Sequence, residues 1–234
     1  MDFEIKNIWY FAIAAVACYV IGCFNFAVLI AHIKKKDIRE MGSGNPGTMN
    51  MTRSLGLKFG SINFFCDVCK CGFPVLAGYF IFKGCVFAGT DIAVSDFARY
   101  FFGLFVIIGH IFPANMKFKG GKGIASTMGI FLFGLPCENW WYVFVVIGFL
   151  IAIFLYITFT EWGSMGSLIG ITLPTVFQAA IFAVRYSDNL INGWCISIFV
   201  ILLAINLLSW VAHRKNIVRL LAGEEHRTVV RKNK

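Results

Sequence analysis

Apolar residues run in long blocks along this chain, and polar residues collect between the blocks. Seven apolar stretches stand out, at about 8–33, 56–82, 97–112, 124–136, 140–160, 164–186 and 194–212. A hydrocarbon core about 30 Å thick needs about 20 helical residues to cross it. Five blocks meet that length. The third and fourth are short, the third reaching only about 24 Å at 1.5 Å per residue. Short spans are expected where polar backbone enters the membrane to build a site. The fold class expected is all-α: a polytopic integral membrane protein of about seven transmembrane helices, one domain over residues 1–234, with a basic tail from about 213.

The basic residues set the orientation. With seven spans and the N-terminus outside, one face receives the loops at 34–55 and 113–123, the turn at 161–163 and the tail. Sixteen of the 21 Lys and Arg fall on that face, among them Lys34, Lys35, Lys36, Arg231, Lys232 and Lys234. Lys6, Lys83, Arg99 and Arg185 fall on the other, and Lys70 lies within a span. The rich face is therefore expected in the cytoplasm, with the C-terminus.

Composition agrees with this class. Hydrophobic residues make up 59% of the chain and charged residues 14%, against about 45–50% apolar in a soluble domain. No separate soluble domain fits. The net charge of +9 lies in loops between apolar runs, which argues against nucleic acid and for membrane orientation and anionic substrates. The first apolar run is too long for a signal-peptide core of about 7–15 residues and stops at three lysines. Cys66, Cys69 and Cys71 lie in an apolar run without a paired cluster, so no metal is expected.

The unusual polar segments all fall on the basic face. In the first, Gly42, Gly44 and Gly47 allow backbone N–H groups to approach a ligand. Ser43, Asn45, Thr48 and Asn50 offer hydrogen-bonding groups, and Arg39 and Arg53 suit phosphate oxygens. A turn-rich connector would use the same residue types. The second segment carries Lys119, Gly120, Gly121, Lys122 and Gly123 directly before an apolar helix, an arrangement suited to anions. It is not a Walker A loop, so ATP is not implied. The third has Ser164 and Ser167 one helical turn apart at the mouth of a span, where a helix cap is the plainer role. The fourth has His213 and Asn216, also three apart. Within the second span, Asp67 and Lys70 sit at a spacing that lets one helix neutralise itself, since lone charges at that depth are costly.

Together these segments resemble the bacterial acyl-phosphate:glycerol-3-phosphate acyltransferase family. The markers are Asp37-x-Arg39-x-x-Gly42-Ser43-Gly44-Asn45, then Gly109-His110-x-Phe112-Pro113 with Phe118-Lys119-Gly120-Gly121-Lys122-Gly123. Asp67-Val68-x-Lys70 with Pro74-Val75, Ser164-x-x-Ser167 and His213-Arg214-x-Asn216-Ile217-x-Arg219-Leu220-Leu221-x-Gly223-x-Glu225 complete the set. Two positions depart from the usual pattern: Met49 stands where a hydroxyl is usual, and Cys71 where a glycine is usual.

The resemblance implies transfer of a fatty acyl group from acyl phosphate to the 1-hydroxyl of glycerol 3-phosphate, giving 1-acylglycerol 3-phosphate and phosphate, the first step of phospholipid synthesis. It implies a multi-pass protein of the inner (cytoplasmic) membrane with its site on the cytoplasmic face, no cofactor, and an upstream enzyme that makes acyl phosphate; the oligomeric state is not readable from the sequence, and a monomer is the expectation. Ser43, Lys122, His213 and Asn216 are the expected catalytic residues. Ser43, nearby glycine amides and Lys122 are expected on donor phosphate; Arg53, Lys119, His213 and Asn216 on the acceptor. Arg39, Gly42, Gly44, Asn45, Gly47, Thr48, Asn50, Gly120, Gly121, Gly123, Ser164 and Ser167 complete the substrate-binding set, and Asp67, Lys70 and Glu225 are structural. The base is His213 or the donor's own phosphate, with no covalent acyl-enzyme. A transporter of a phosphorylated metabolite and a diverged paralogue with another acceptor are the alternatives.

Overall fold

A computed structural model describes residues 1–225 and Arg227; Arg231, Lys232 and Lys234 lie outside the described residues. The chain is helical, with α1 (Trp9–Cys23), α2 (Phe26–Ile33), α3 (Thr48–Leu55), α4 (Leu57–Phe82) and α5 (Val94–Ile111) in its first half. α6 (Ile124–Gly134), α7 (Tyr142–Thr160), α8 (Gly163–Arg185), α9 (Gly193–Ala212) and α10 (Arg214–Leu221) follow. A two-residue parallel pair, β1 (Asp2–Phe3) with β2 (Val86–Phe87), closes the N-terminal end of α1 against the α4–α5 connection. Six segments are long and apolar enough to cross a membrane: Trp9–Ile33, Leu57–Phe82, Val94–Met116, Tyr142–Thr160, Gly163–Arg185 and Gly193–Ala212. Ile124–Cys137 is a shorter apolar helix, as expected for the fourth block.

The third block is not short. Its helix starts at Val94, because Asp96 and Arg99 are buried partners inside the bundle rather than loop residues. The first block is not continuous. Asn25 caps α2 by accepting from the Val28 amide at 3.0 Å, and Phe24 is extended between the two helices. The free backbone groups at this break are met by other elements: Lys70 Nζ donates to Phe24 O at 2.9 Å and Asn115 Nδ2 to Cys23 O at 3.3 Å. Non-helical backbone at such depth persists only where protein satisfies it.

α5 is the central helix, with two thirds of its span buried, and it packs against α1, α4, α6 and α9. Its crossing with α1 needs glycine on both sides: a Cβ on Gly22 would stand 2.9 Å from the Cα of Gly109. Backbone contact of this kind is how apolar helices associate where hydrocarbon gives no hydrophobic drive.

The end of the bundle that holds Arg99 is tied by a buried charge cluster. Arg99, fully buried, pairs with Asp96 at 2.7 Å and with Glu138, and donates to Gly134 O at 2.9 Å. Arg185 pairs with Asp96 at 2.7 Å and with Glu138. The Tyr186 hydroxyl donates to Asp96 at 2.7 Å, and Gln178 Nε2 to Glu138 at 3.0 Å. Two arginines and two carboxylates cancel, and α5, α6 and α8 are joined. Arg99 and Arg185 are therefore internal partners, not free loop charges as their sequence positions suggest. Breaking a buried pair strands the remaining charge at a cost of about 3–5 kcal/mol. Asp96→Ala is expected to lower unfolding stability in detergent by that order and Asp96→Asn by less; an unchanged unfolding midpoint in both would show that the cluster does not hold these helices.

Candidate active site

Three of the four polar segments meet at the opposite end of the bundle, the first lies near enough for the Arg53 charge to act on Lys122, and each is shaped by local backbone. In the first, Gly42 and Gly44 adopt left-handed conformations, with φ of 55° and 69°. The loop closes around Asn50, which is buried at the start of α3. Asn50 Nδ2 donates to Ile38 O at 3.1 Å and Met41 O at 2.9 Å, while its Oδ1 accepts from the Ser43 amide at 2.9 Å. Asn50 thus braces the loop, and its polar atoms face the protein rather than an open site. Ser43 is left exposed on the loop, with Gly44 and Asn45 half-buried beside it. Gly47 precedes α3 without a capping side chain, so the first N–H groups of Thr48 and its successors have no cap. Asn25 Nδ2 ties the loop to the broken first span through Pro46 O at 3.1 Å.

Arg39 is committed elsewhere in this state. It chelates the Asp37 carboxylate through Nε and Nη2, at 2.9 and 2.6 Å. The guanidinium holds that carboxyl down at about 2. Arg53, on α3, is exposed. Met49 is exposed at the N-terminus of α3, and the Thr48 hydroxyl accepts from Asn63 at 3.0 Å. Cys71 is buried, its Sγ donating to Gly103 O at 3.7 Å, so that departure bears on the α4–α5 packing.

In the second segment Lys117, Phe118 and Gly123 are left-handed. The glycine amides do not point outward. Gly120 N–H donates to Ile111 O at 3.0 Å and Gly121 N–H to His110 O at 3.1 Å. This corrects the expectation that those two amides face an anion: they stitch the loop to the end of α5. Gly123 gives α6 no side-chain cap, which leaves the first-turn N–H groups of α6 as the donors suited to an anion. Lys119 is exposed, and Lys122 is half-buried.

Lys122 joins the remaining segments. Its Nζ donates to Asn216 Oδ1 at 2.6 Å. Asn216 Nδ2 donates to Ser164 Oγ at 2.7 Å and to Glu225 Oε1 at 3.1 Å. Ser164 Oγ donates to the same carboxylate, and Arg219 Nε does so at 3.2 Å. Burial would raise the Glu225 carboxyl, but the bonds from Ser164, Asn216 and Arg219 outweigh it and hold it below the usual glutamate value. Burial pushes the Lys122 ammonium down to about 8, with the charges of Arg219 and Arg53 adding to the effect and Glu225 opposing it. Ser167 does not join this centre; its hydroxyl donates to Gly163 O at 2.8 Å on its own helix.

His213, at the end of α9, is buried. Its Nδ1 lies 2.8 Å from Ser209 O, and a carbonyl only accepts, so Nδ1 carries the proton and Nε2 keeps a lone pair. Burial, then the Lys122 charge, pushes its pKa down to about 4. Asp67 and Lys70 form the expected ion pair at 3.0 Å. Lys70 also reaches His110 Nδ1 at 2.8 Å. The sequence marks His110 as part of the family pattern without a role at the site, and singles out neither Asn25 nor Asn63. Asn25 is legible as a lone amide inside an apolar run and Asn63 as the residue four before Asp67 on one helix; the pairings of Asn63 with Thr48 and of His110 with Lys70 span longer distances and leave no local signal.

An apolar cleft of about 200 Å³ lies between α7 and α8, lined by Ala152, Ile153, Tyr156, Gly166, Ile169 and Leu173.

Known proteins place this arrangement. The family model described as glycerol-3-phosphate acyltransferase matches residues 12–223. The glycerol-3-phosphate acyltransferase of Aquifex aeolicus is 32% identical over 89% of this chain and 94% of its own length. That of Thermoanaerobacter pseudethanolicus is 36% identical over 92% and 94%. The crystal structure of PlsY (YgiH), an integral membrane glycerol 3-phosphate acyltransferase, in its glycerol 3-phosphate form superposes with a TM-score of 0.70 at 28% identity, covering 93% of this chain and 95% of that one.

A lysine held near 8 is charged below that pH and neutral above it. Binding of glycerol 3-phosphate to the free protein, followed by calorimetry, is expected to weaken as pH rises through about 8. Lys122→Arg, whose cation does not titrate in that range, is expected to abolish this limb; an identical limb in the arginine variant would assign it to another group.

Proposed function

This chain belongs to the glycerol-3-phosphate acyltransferase family, and from that membership we propose that it moves a fatty acyl group from acyl phosphate to the 1-hydroxyl of glycerol 3-phosphate. The products are 1-acylglycerol 3-phosphate and inorganic phosphate, the first step of phospholipid synthesis. The observation that carries the proposal is the bond from Lys122 to Asn216, which in turn bonds Ser164 and the Arg219-paired Glu225, drawing three distant segments into one donor-rich, cation-rich centre.

Two phosphates have to share the site. Ser43, the uncapped first turns of α3 and α6, and Lys122 hold the donor phosphate. Arg53, Lys119, His213 and Asn216 hold the acceptor, and Lys122, bonded to Asn216, stands between the two sets. The glycerol oxygen attacks the acyl carbonyl carbon, the bond from that carbon to the phosphate oxygen breaks, and the hydroxyl proton ends on the departing phosphate. Holding both reactants in line supplies the proximity effect, and the cations and N–H groups stabilise the developing oxyanion. The donor's phosphate is the base. His213 has the lone pair for that role, but burial and Lys122 both oppose the imidazolium it would become. The apolar cleft between α7 and α8 suits a lipidic chain.

Ile124–Cys137 completes a set of seven spans with the six long helices. The basic excess on the site end sets that end, and the C-terminus, on the cytoplasmic side of the inner membrane. There the enzyme works as a monomer, supplied by an enzyme that makes acyl phosphate.

Purified protein is expected to convert labelled glycerol 3-phosphate to lipid with palmitoyl phosphate and not with acyl-CoA. Lys122→Ala is expected to lower kcat by about 10²–10³-fold, the effect of losing one oxyanion donor. Turnover with acyl-CoA alone, or release of unchanged label across a membrane, would contradict the proposal.

A further inference from the structure

A continuous chain of buried polar groups links the two glycine loops from beneath. It starts at Thr48, whose Oγ1 accepts from Asn63 Nδ2 at 3.0 Å. The same amide donates to Asp67 Oδ2 at 3.1 Å. Asp67 Oδ1 meets Lys70 Nζ as an ion pair at 3.0 Å, and Lys70 Nζ lies 2.8 Å from His110 Nδ1. The far edge of the His110 ring faces Gly121: any side chain on that glycine would collide with Nε2. Asn63, Asp67, Lys70 and His110 are all buried. Asn63 Oδ1 and Asp67 Oδ1 make no hydrogen bond among the described residues, Asp67 Oδ1 meeting Lys70 by charge alone, a cost in stability that is explained if these side chains are needed between Thr48 and His110.

The chemistry of Lys70 fixes the state of His110. An ammonium has no lone pair, so it donates to Nδ1, and the ring proton sits on Nε2, toward Gly121. Lys70 also donates to Phe24 O, so one cation grips the break in the first span, α4 and the end of α5. Gly121 is bonded through its amide to His110 O and rests against the ring edge. Lys122 is the next residue.

We propose that the Thr48–Asn63–Asp67–Lys70–His110 chain is a positioning device that sets the glycine–serine loop and Lys122 at a fixed separation, with His110 held as the Nε2–H tautomer; this rests on the acyl-transfer function proposed above. None of its buried members touches substrate. They act through Thr48 and through the seat of Gly121. Misplacing reacting groups by about 1 Å costs on the order of 10²-fold in rate, so the device is expected to show in kcat more than in substrate binding.

The test uses full-length protein in nanodiscs, labelled with ¹⁵N-histidine. In the unaltered protein the ring signal that disappears in His110→Gln is expected to be that of a neutral ring protonated on Nε2. Lys70→Met is expected to lose this single state and to lower kcat by about 10–100-fold, with KM for glycerol 3-phosphate changed by less than about threefold. Asn63→Leu is expected to lower kcat in the same way while the His110 signal stays as it was. A doubly protonated or Nδ1-protonated His110 in the unaltered protein overturns the inference, whether or not the variants fold. So does wild-type kcat in either folded variant. Absence of acyl transfer by the unaltered protein would instead sink the function proposed above, and the histidine signal would still decide the tautomer.

Discussion

A polar group inside hydrocarbon has to find its partner within the protein, and this chain is organised by that requirement. The broken backbone at Phe24 exists because Lys70 and Asn115 reach it. Lys70 is tolerable in α4 because Asp67, His110 and Phe24 surround it. Arg99 is tolerable in α5 because Asp96 and Glu138 flank it. Each case joins elements far apart in sequence, so satisfying a buried charge and fixing the helix arrangement are one event.

The two ends of the bundle use this constraint differently. At the end that holds Arg99 the charges cancel among themselves and are closed in, which gives a staple. At the other end the balance is left positive. Around Lys122 the charges of Arg53 and Arg219 are set against that of Glu225, Lys119 is exposed nearby in sequence, and the first turns of α3 and α6 lack side-chain caps. Such an end is incomplete until anions arrive.

Much of the spans and of the site was legible in the sequence, for a physical reason. Length and apolarity identify a helix that crosses hydrocarbon, and charge asymmetry sorts the loops, so the segments carrying Lys122, Ser164 and Asn216 were grouped before their contacts were seen. What was not legible depends on direction or distance. Glycine-rich composition says that N–H groups are free to turn, not which way; those of Gly120 and Gly121 turn inward to α5. Asn50 has the same composition signal as Ser43, yet it folds under the loop as its brace. The start of the third span was hidden because Asp96 and Arg99 look like loop residues until their partner Glu138, far along the chain, is in place.

The central claim is that the glycine–serine loop and the glycine–lysine loop lie on one side of the membrane over one site. The most direct measurement is labelling with a membrane-impermeant thiol reagent in a background without the eight native cysteines. Asn45→Cys and Lys119→Cys are expected to react from the same side, the cytoplasmic one, while Asp188→Cys reacts from the other. Reaction of residues 45 and 119 from opposite sides would contradict the shared site.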